Sequence, residues 1–163
     1  MSVTFKKVSS FNRGILLELL SDAYSYDPRY ERGSISDWQA CDNFFFENIQ
    51  IADKCAFITT LNDEPIGFVV WDPRNMPKYA EIGHNCIASR YKGKGYGKIQ
   101  LQEAVNRIIQ HDVKKIIVTT NDDLNPAQRM YESVGFTMYK KRKNQNNADF
   151  VNEHIDYVYF INS

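Results

Sequence analysis

Apolar residues recur along this chain in two periods, and the switches between them predict its elements. Val3–Val8 alternates as a short strand does. Ile15, Leu16, Leu19, Leu20 and Ala23 fall at helical spacing, so a helix starts near Ser10 or Asn12. Ser21–Gly33 is polar, with Tyr24, Tyr26 and Tyr30 around Pro28, and reads as a loop or broken helix. Ser36 and Gln39 have the spacing of a capping box and predict a second helix to about Ile51, with Phe44-Phe45-Phe46 in the core. Cys55–Leu61 and Ile66–Trp71 predict strands joined by the turn Asn62-Asp63-Glu64-Pro65, and Lys78–Ala88 predicts a third. Gly97–His111 is the clearest helix, with Leu101, Ala104, Val105, Ile108 and Ile109 on one face. Lys115–Thr120 is an apolar β-branched strand. Asn125 then caps a helix that has Pro126 at its first position, Gln128 closing the capping box and Gly135 ending it. Phe136–Lys143 and His154–Ile161 alternate as a last pair of strands. The order β-α-α-β-β-β-α-β-α-β-β predicts a mixed α/β domain, and no repeat or low-complexity linker divides 1–163.

Composition narrows the classes of function. The chain of 163 residues, 43% hydrophobic and 25% charged, is long enough for one domain with a core. Twenty basic and 20 acidic residues cancel, which argues against broad electrostatic binding to nucleic acid or membrane. Cys41, Cys55 and Cys86 are widely spaced and form no CxxC pair, so neither a disulfide framework nor a metal site is expected. With no apolar leader at the start, a reducing, cytoplasmic location is expected.

The most informative stretch is Arg90-Tyr91-Lys92-Gly93-Lys94-Gly95-Tyr96-Gly97-Lys98, between a predicted strand and a predicted helix. Glycines at alternate positions permit a tight turn with bare N–H groups. The helix start adds the positive end of its dipole, and Lys92, Lys94 and Lys98 add charge. A phosphate-bearing ligand is expected here. The spacing is not that of a Walker A loop, because Ile99 follows Lys98, nor is it the dinucleotide fingerprint G-x-G-x-x-G.

The series of strand, K-x-x-G-type turn, helix, strand and short helix ending in Gly-Phe resembles the GCN5-related N-acetyltransferase (GNAT) family over roughly Val3 to Phe160. Lys92-Gly93-Lys94-Gly95-Tyr96-Gly97 is similar to the family's Q/R-x-x-G-x-G/A loop, with Lys in place of Gln or Arg. Ala127-Gln128-Arg129-Met130-Tyr131-Glu132-Ser133-Val134-Gly135-Phe136 is similar to its second motif. The resemblance implies a GNAT-type acyl-CoA N-acyltransferase fold: a mixed, mostly antiparallel twisted sheet of seven strands with four helices. It implies acetyl-CoA as co-substrate, no metal, and a small-molecule or peptide amine as acceptor. Cofactor contacts would come from Lys92, Gly93, Lys94, Gly95, Tyr96, Gly97 and Lys98, and from backbone groups near Cys86 and Ile87. Where many relatives carry an Asn seven residues before the tyrosine, this chain has Leu124, with Asn125 beside it.

Acetyl transfer needs a base for the amine, a donor for the oxygen that gains charge and an acid for the leaving thiolate. Glu81, 11 residues before Lys92, matches the strand glutamate that serves as base in the histone-acetyltransferase branch. Alternation places Glu81, Gly83 and Asn85 on one face of its strand and Ile82 and His84 on the other. The resemblance makes Tyr131 the acid. Cys86 has no fitting base partner for a nucleophile, and Lys140-Lys141-Arg142-Lys143 reads as a solvated strand end beside the loop 144–149. The leading expectation is direct transfer in a ternary complex by a monomer or homodimer. A CoA-binding sensor or scaffold without turnover is the alternative, and an RNA-binding module built on 140–143 lacks a wider basic face. The resemblance implies an acceptor side formed by the Tyr24–Trp38 region and the loop 144–153, where aromatics with Asp22, Asp27, Glu31 and Asp37 hint at a cationic amine acceptor.

Overall fold

The computed structural model describes residues 2–121, 124–143 and 153–161. Among these the chain forms β1 (Val3–Lys6), α1 (Ile15–Ala23), α2 (Pro28–Glu47), α3 (Ile49–Cys55), β2 (Ala56–Leu61), β3 (Glu64–Asp72) and β4 (Ala80–Ile87). There follow α4 (Tyr96–Ile108), β5 (Lys115–Asn121), α5 (Asn125–Val134), β6 (Thr137–Lys143) and β7 (Glu153–Phe160), with short 3-10 turns at Val8–Ser10 and Ser89–Tyr91. The strands form one sheet in the order β1-β2-β3-β4-β5-β7-β6. The pairs β1–β2, β2–β3, β5–β7 and β6–β7 are antiparallel and β4–β5 is parallel. This is the mixed, mostly antiparallel seven-stranded sheet that was expected. The loop 144–149 lies outside the described residues.

Five helices stand among the described residues where four were expected, because the second one starts earlier and is split. Asp27, not Ser36, begins α2: its carboxylate accepts from the Arg29 N–H, and Pro28 takes the first turn, where a missing N–H costs nothing. Helix α2 therefore runs through Gly33 and the capping-box residues Ser36 and Gln39. It ends at Asn48, which leaves the helical region, and α3 follows. Phe44-Phe45-Phe46 is not core. Phe44 is 48% exposed, and Phe45 and Phe46 are half-buried, since α2 turns Tyr30, Trp38 and Asp42 inward. The hairpin turn is also tighter than expected. Asn62 and Asp63 both take positive φ, the two-residue geometry that matches strand twist, so β3 starts at Glu64.

The chain divides into two compact units, Met1–Val70 with His84–Gly97 and Trp71–Gly83 with Lys98–Ser163. In the first, Leu16, Leu20, Ala52, Phe57, Ile58, Ile66 and Phe68 are buried. Helix α1 starts at Ile15, later than expected, and its cap comes from α2. The buried Asp42 carboxylate accepts from the N–H groups of Gly14 at 2.8 Å and Leu16 at 3.1 Å, which also places negative charge at the helix's positive end. Asp42→Ala is expected to cost about 1–2 kcal/mol, read as a fall of about 2–8 °C in thermal midpoint. In the second unit, Leu101, Ala104, Val105 and Ile108 of α4 are buried, as are Ile116, Val118, Ile155 and Tyr157 of the strands.

Candidate functional site

Up to Gly97 the phosphate-type loop belongs to the first unit, and it is pinned at its entrance. The Ser89 N–H donates to Asp22 Oδ2 at 2.8 Å, and Ser89 Oγ donates to the Asp22 carbonyl at 2.6 Å. Tyr91 is buried and its hydroxyl donates to Glu64 Oε2 at 2.7 Å. The loop then turns on Gly93 and Gly95, with φ of +75° and +89°, a region that side chains with a Cβ resist. A Cβ at either glycine would meet no heavy atom within 4 Å. Backbone angle, not crowding by the protein, therefore demands glycine, and the space over the loop is open to a ligand. Tyr96 opens α4, one residue earlier than expected, with its ring buried 6.2 Å from that of Tyr91. Tyr96 and Gly97 thus offer the N–H groups of a first helical turn, which have no partner inside the helix. Lys94 and Lys98 are exposed beside them. Open glycines, free-standing cations and a helix start fit the pyrophosphate of a CoA-type ligand.

Lys92, expected to add charge to the loop, is exposed, but its ammonium is engaged by α1. Its ammonium hydrogen-bonds the carbonyl of Ala23 at the end of α1 and lies 4.6 Å from the Tyr26 ring centre. Burial pulls its pKa below the ordinary lysine value, against the attraction of the Asp22 carboxylate. Upstream, Cys86 is buried, and burial pushes its thiol up to about 12, so it stays protonated and is no nucleophile. Ile87 is buried at the end of β4. His84, half-buried, is held below its ordinary pKa by burial.

The two expected catalytic residues both lie in the second unit. On β4, Ala80 and Ile82 are buried, Glu81 is half-buried and Gly83 is exposed, which is the predicted alternation. Among the described residues, β4 and β5 pair at three positions, Ala80↔Ile116, Glu81↔Ile117 and Ile82↔Val118. Glu81 therefore shares a sheet face with Ile117 and Thr119 of β5, and through Thr119↔Asp156 with Asp156 of β7. Burial first, then the carboxylates of Asp72 and Asp156, raises the Glu81 pKa above its ordinary value; Arg142 and Arg74 oppose this. A carboxylate with a raised pKa is a stronger base.

Asp156 was not foreseen as part of this face. Its carboxylate, almost fully buried, accepts from Thr119 Oγ1 at 2.6 Å and from Arg142 Nε at 3.0 Å. Burial works to raise its pKa, but these two partners hold it below the usual carboxylate range. Arg142 is thus an anchored member of the basic run 140–143, while every residue of β6 remains exposed, as a solvated strand should be. The partner of Arg142 lies on another strand, so spacing along the chain gave no signal for it.

Tyr131 lies on α5 and is buried, with its ring 5.7 Å from Phe136 and 5.9 Å from Tyr157. Tyr157 pairs with Val118, so its side chain belongs to the sheet face opposite that of Glu81. The Tyr157 hydroxyl donates to Glu132 Oε1 at 3.0 Å, and burial first, then Glu132, pushes its pKa up to about 12. Asn125 does not cap α5. Leu124 holds the cap position without a side-chain bond, Asn125 is the first helical residue, and Gln128 donates to the Asn121 carbonyl at 3.1 Å instead of closing a box. The helix starts one residue early because Pro126 suits the second helical position as well as the first. Asn125 is exposed there, and Gly135 ends the helix with φ +120° as expected.

If Glu81 is the base, Glu81→Gln will lower kcat/KM most between the pKa of Glu81 and that of the amine. Below that window wild-type Glu81 is itself protonated; toward the ordinary amine pKa of about 10.4 free amine needs no base. A pH–rate profile of both proteins on one amine checks this, and superimposable profiles remove Glu81 from the chemistry.

A strand, a turn on left-handed glycines and a helix start on a mixed, mostly antiparallel sheet define the class as an α/β protein. The family model described as "Acetyltransferase (GNAT) family" matches residues 15–136. The chain belongs to the GNAT acetyltransferase family, whose members are acetyl-CoA-dependent. A mycothiol acetyltransferase of Corynebacterium glutamicum (strain R) is 30% identical over 76 residues, covering 47% of this chain and 26% of that protein. The chain thus spans about a quarter of the length of the curated relatives it matches. Among solved structures, the ribosomal-protein-S18-alanine N-acetyltransferase of Escherichia coli superimposes with a TM-score of 0.76 at 16% identity, over 99% of this chain and 96% of that one. A chain of the NatC complex bound to Gag peptide and CoA gives 0.73 at 19% identity, over 99% and 100%. These likenesses show the GNAT fold. Among the described residues no helix is long and apolar enough to cross a membrane.

Proposed function

We propose that this chain is a single N-acetyltransferase domain that moves the acetyl group of acetyl-CoA to a primary amine by direct attack in a ternary complex. The co-substrate supplies an acyl group already activated as a thioester. The observation that carries this reading is the pair of left-handed glycines, Gly93 and Gly95, running directly into the first turn of α4. Their N–H groups, those of Tyr96 and Gly97, and the ammonium groups of Lys92, Lys94 and Lys98 hold the pyrophosphate. Backbone groups of Cys86 and Ile87 hold the pantetheine arm, and Asn125 contacts the cofactor from the start of α5.

Glu81 takes the proton from the acceptor ammonium, directly or through water, so that the nitrogen lone pair is free to attack. Its raised pKa supports that role. Tyr131 gives its phenolic proton to the departing thiolate, which a group of ordinary pKa about 10 can do at neutral pH. The acceptor is a small-molecule or peptide amine, and the reaction uses no metal. The enzyme works in the cytoplasm as a monomer or homodimer. An amine panel with acetyl-CoA, read by released CoA thiol and by product mass, tests the proposal. Thiol release matched by an acetylated amine is expected; CoA binding without product from any amine would leave a sensor and overturn the enzyme.

A further inference from the structure

The corner between α1 and α2 gathers Tyr24, Tyr26, Tyr30 and Trp38. Tyr24 stacks on Trp38 at 5.6 Å with planes 20° apart, and Tyr30 lies 5.1 Å from Tyr24 and 5.7 Å from Tyr26. Tyr30 and Trp38 are buried whereas Tyr26 is 57% exposed, so the cluster has a buried floor and an open rim. The Lys92 ammonium reaches into it, 4.6 Å from the Tyr26 ring centre and 5.9 Å from that of Tyr24, while it hydrogen-bonds the Ala23 carbonyl. Ala23 is the last residue of α1, where the helix dipole is negative. Ring faces with a helix-end carbonyl make up a set of groups that holds an ammonium ion.

Lys92 is also the residue next to Gly93, at the head of the phosphate loop. A phosphate oxygen carries negative charge, so an ammonium pairs more strongly with it than with a neutral helix-end carbonyl and a ring face. Lys92 therefore has two destinations, both in the first unit. We propose that the tyrosine corner is a recognition site for an alkylammonium ligand, that Lys92 fills it in the free protein, and that a pyrophosphate on the Lys92–Lys98 loop draws Lys92 away and opens it. The ligand class is an aliphatic diamine or polyamine, one of whose ammonium groups lies against the rings. That assignment of class rests on the proposed N-acetyltransferase activity; the binding of an ammonium does not.

Calorimetric titration with cadaverine tests the site without turnover, using CoA in place of acetyl-CoA. In wild type, saturating CoA is expected to tighten cadaverine binding by about 5-fold or more, since it removes an internal competitor. Lys92→Met, or Lys92→Gln should the first fold poorly, is expected to bind cadaverine without CoA as tightly as wild type does with it, and to gain nothing further. Tyr26→Leu is expected to weaken binding by about 2- to 30-fold, the worth of one cation–ring contact. Tyr26→Phe keeps the ring and should bind as wild type. Affinities that ignore Lys92→Met or Tyr26→Leu, or an absence of cadaverine binding in every protein, overturn the proposal. If the expected pattern of heats appears while no amine is acetylated, the recess stands and the enzymatic reading falls; amine acetylation without that pattern does the reverse.

Discussion

Gly95→Val is expected to weaken CoA binding by about 100-fold or more, because the β-branched side chain resists the left-handed backbone that the loop requires. Gly95 has φ +89° and leads directly into Tyr96 and α4. No protein atom crowds its Cβ position, so the substitution does not clash with the folded chain. Instead the loop relaxes toward negative φ at a saving of about 1–3 kcal/mol, and the N–H groups turn away from the pyrophosphate. Any isopropyl group that remains occupies the space a phosphate would need. The thermal midpoint should change little, since the loop is exposed. Calorimetry with CoA measures the effect, and unchanged affinity would sink the assignment of this loop.

Tyr131→Phe is expected to lower kcat by about 10- to 1,000-fold, the range for loss of a general acid, with CoA affinity and fold retained. The ring sits in a buried aromatic group with Phe136 and Tyr157, and phenylalanine keeps those contacts. What disappears is the phenolic proton. Parallel measurement of kcat, CoA affinity and thermal midpoint separates the chemical role from a packing role. Unchanged turnover on an accepted amine would make Tyr131 a core residue.

Local pattern was a good guide wherever an element's own residues decide its form. The face Leu101, Ala104, Val105 and Ile108 of α4 repeats every three to four residues and is buried, and Gly135 ends α5 at positive φ. The glycine loop was legible for the same reason, since Gly93 and Gly95 act through their own backbones. Pattern misled where polarity stood in for conformation. The tyrosine-rich stretch after Ala23 looked like a loop, yet Asp27 and Pro28 are a helix start, and the tyrosines face one another. Phe44-Phe45-Phe46 looked like core, yet three consecutive positions cannot all face inward on a helix. Contacts distant in sequence could not be read at all: Asp42 capping α1, Arg142 on Asp156, and Lys92 on Ala23 each join separate elements.

The most direct measurement compares wild type with the Glu81→Gln, Tyr131→Phe double variant on the best amine of the panel, after CoA binding by both has been verified. Wild type is expected to form one acetylated amine for each CoA thiol released, and the double variant to fall to near the uncatalysed rate while still binding CoA. Acetylation by the double variant at the wild-type rate, or thiol release by wild type with no acetylated amine, would contradict the account.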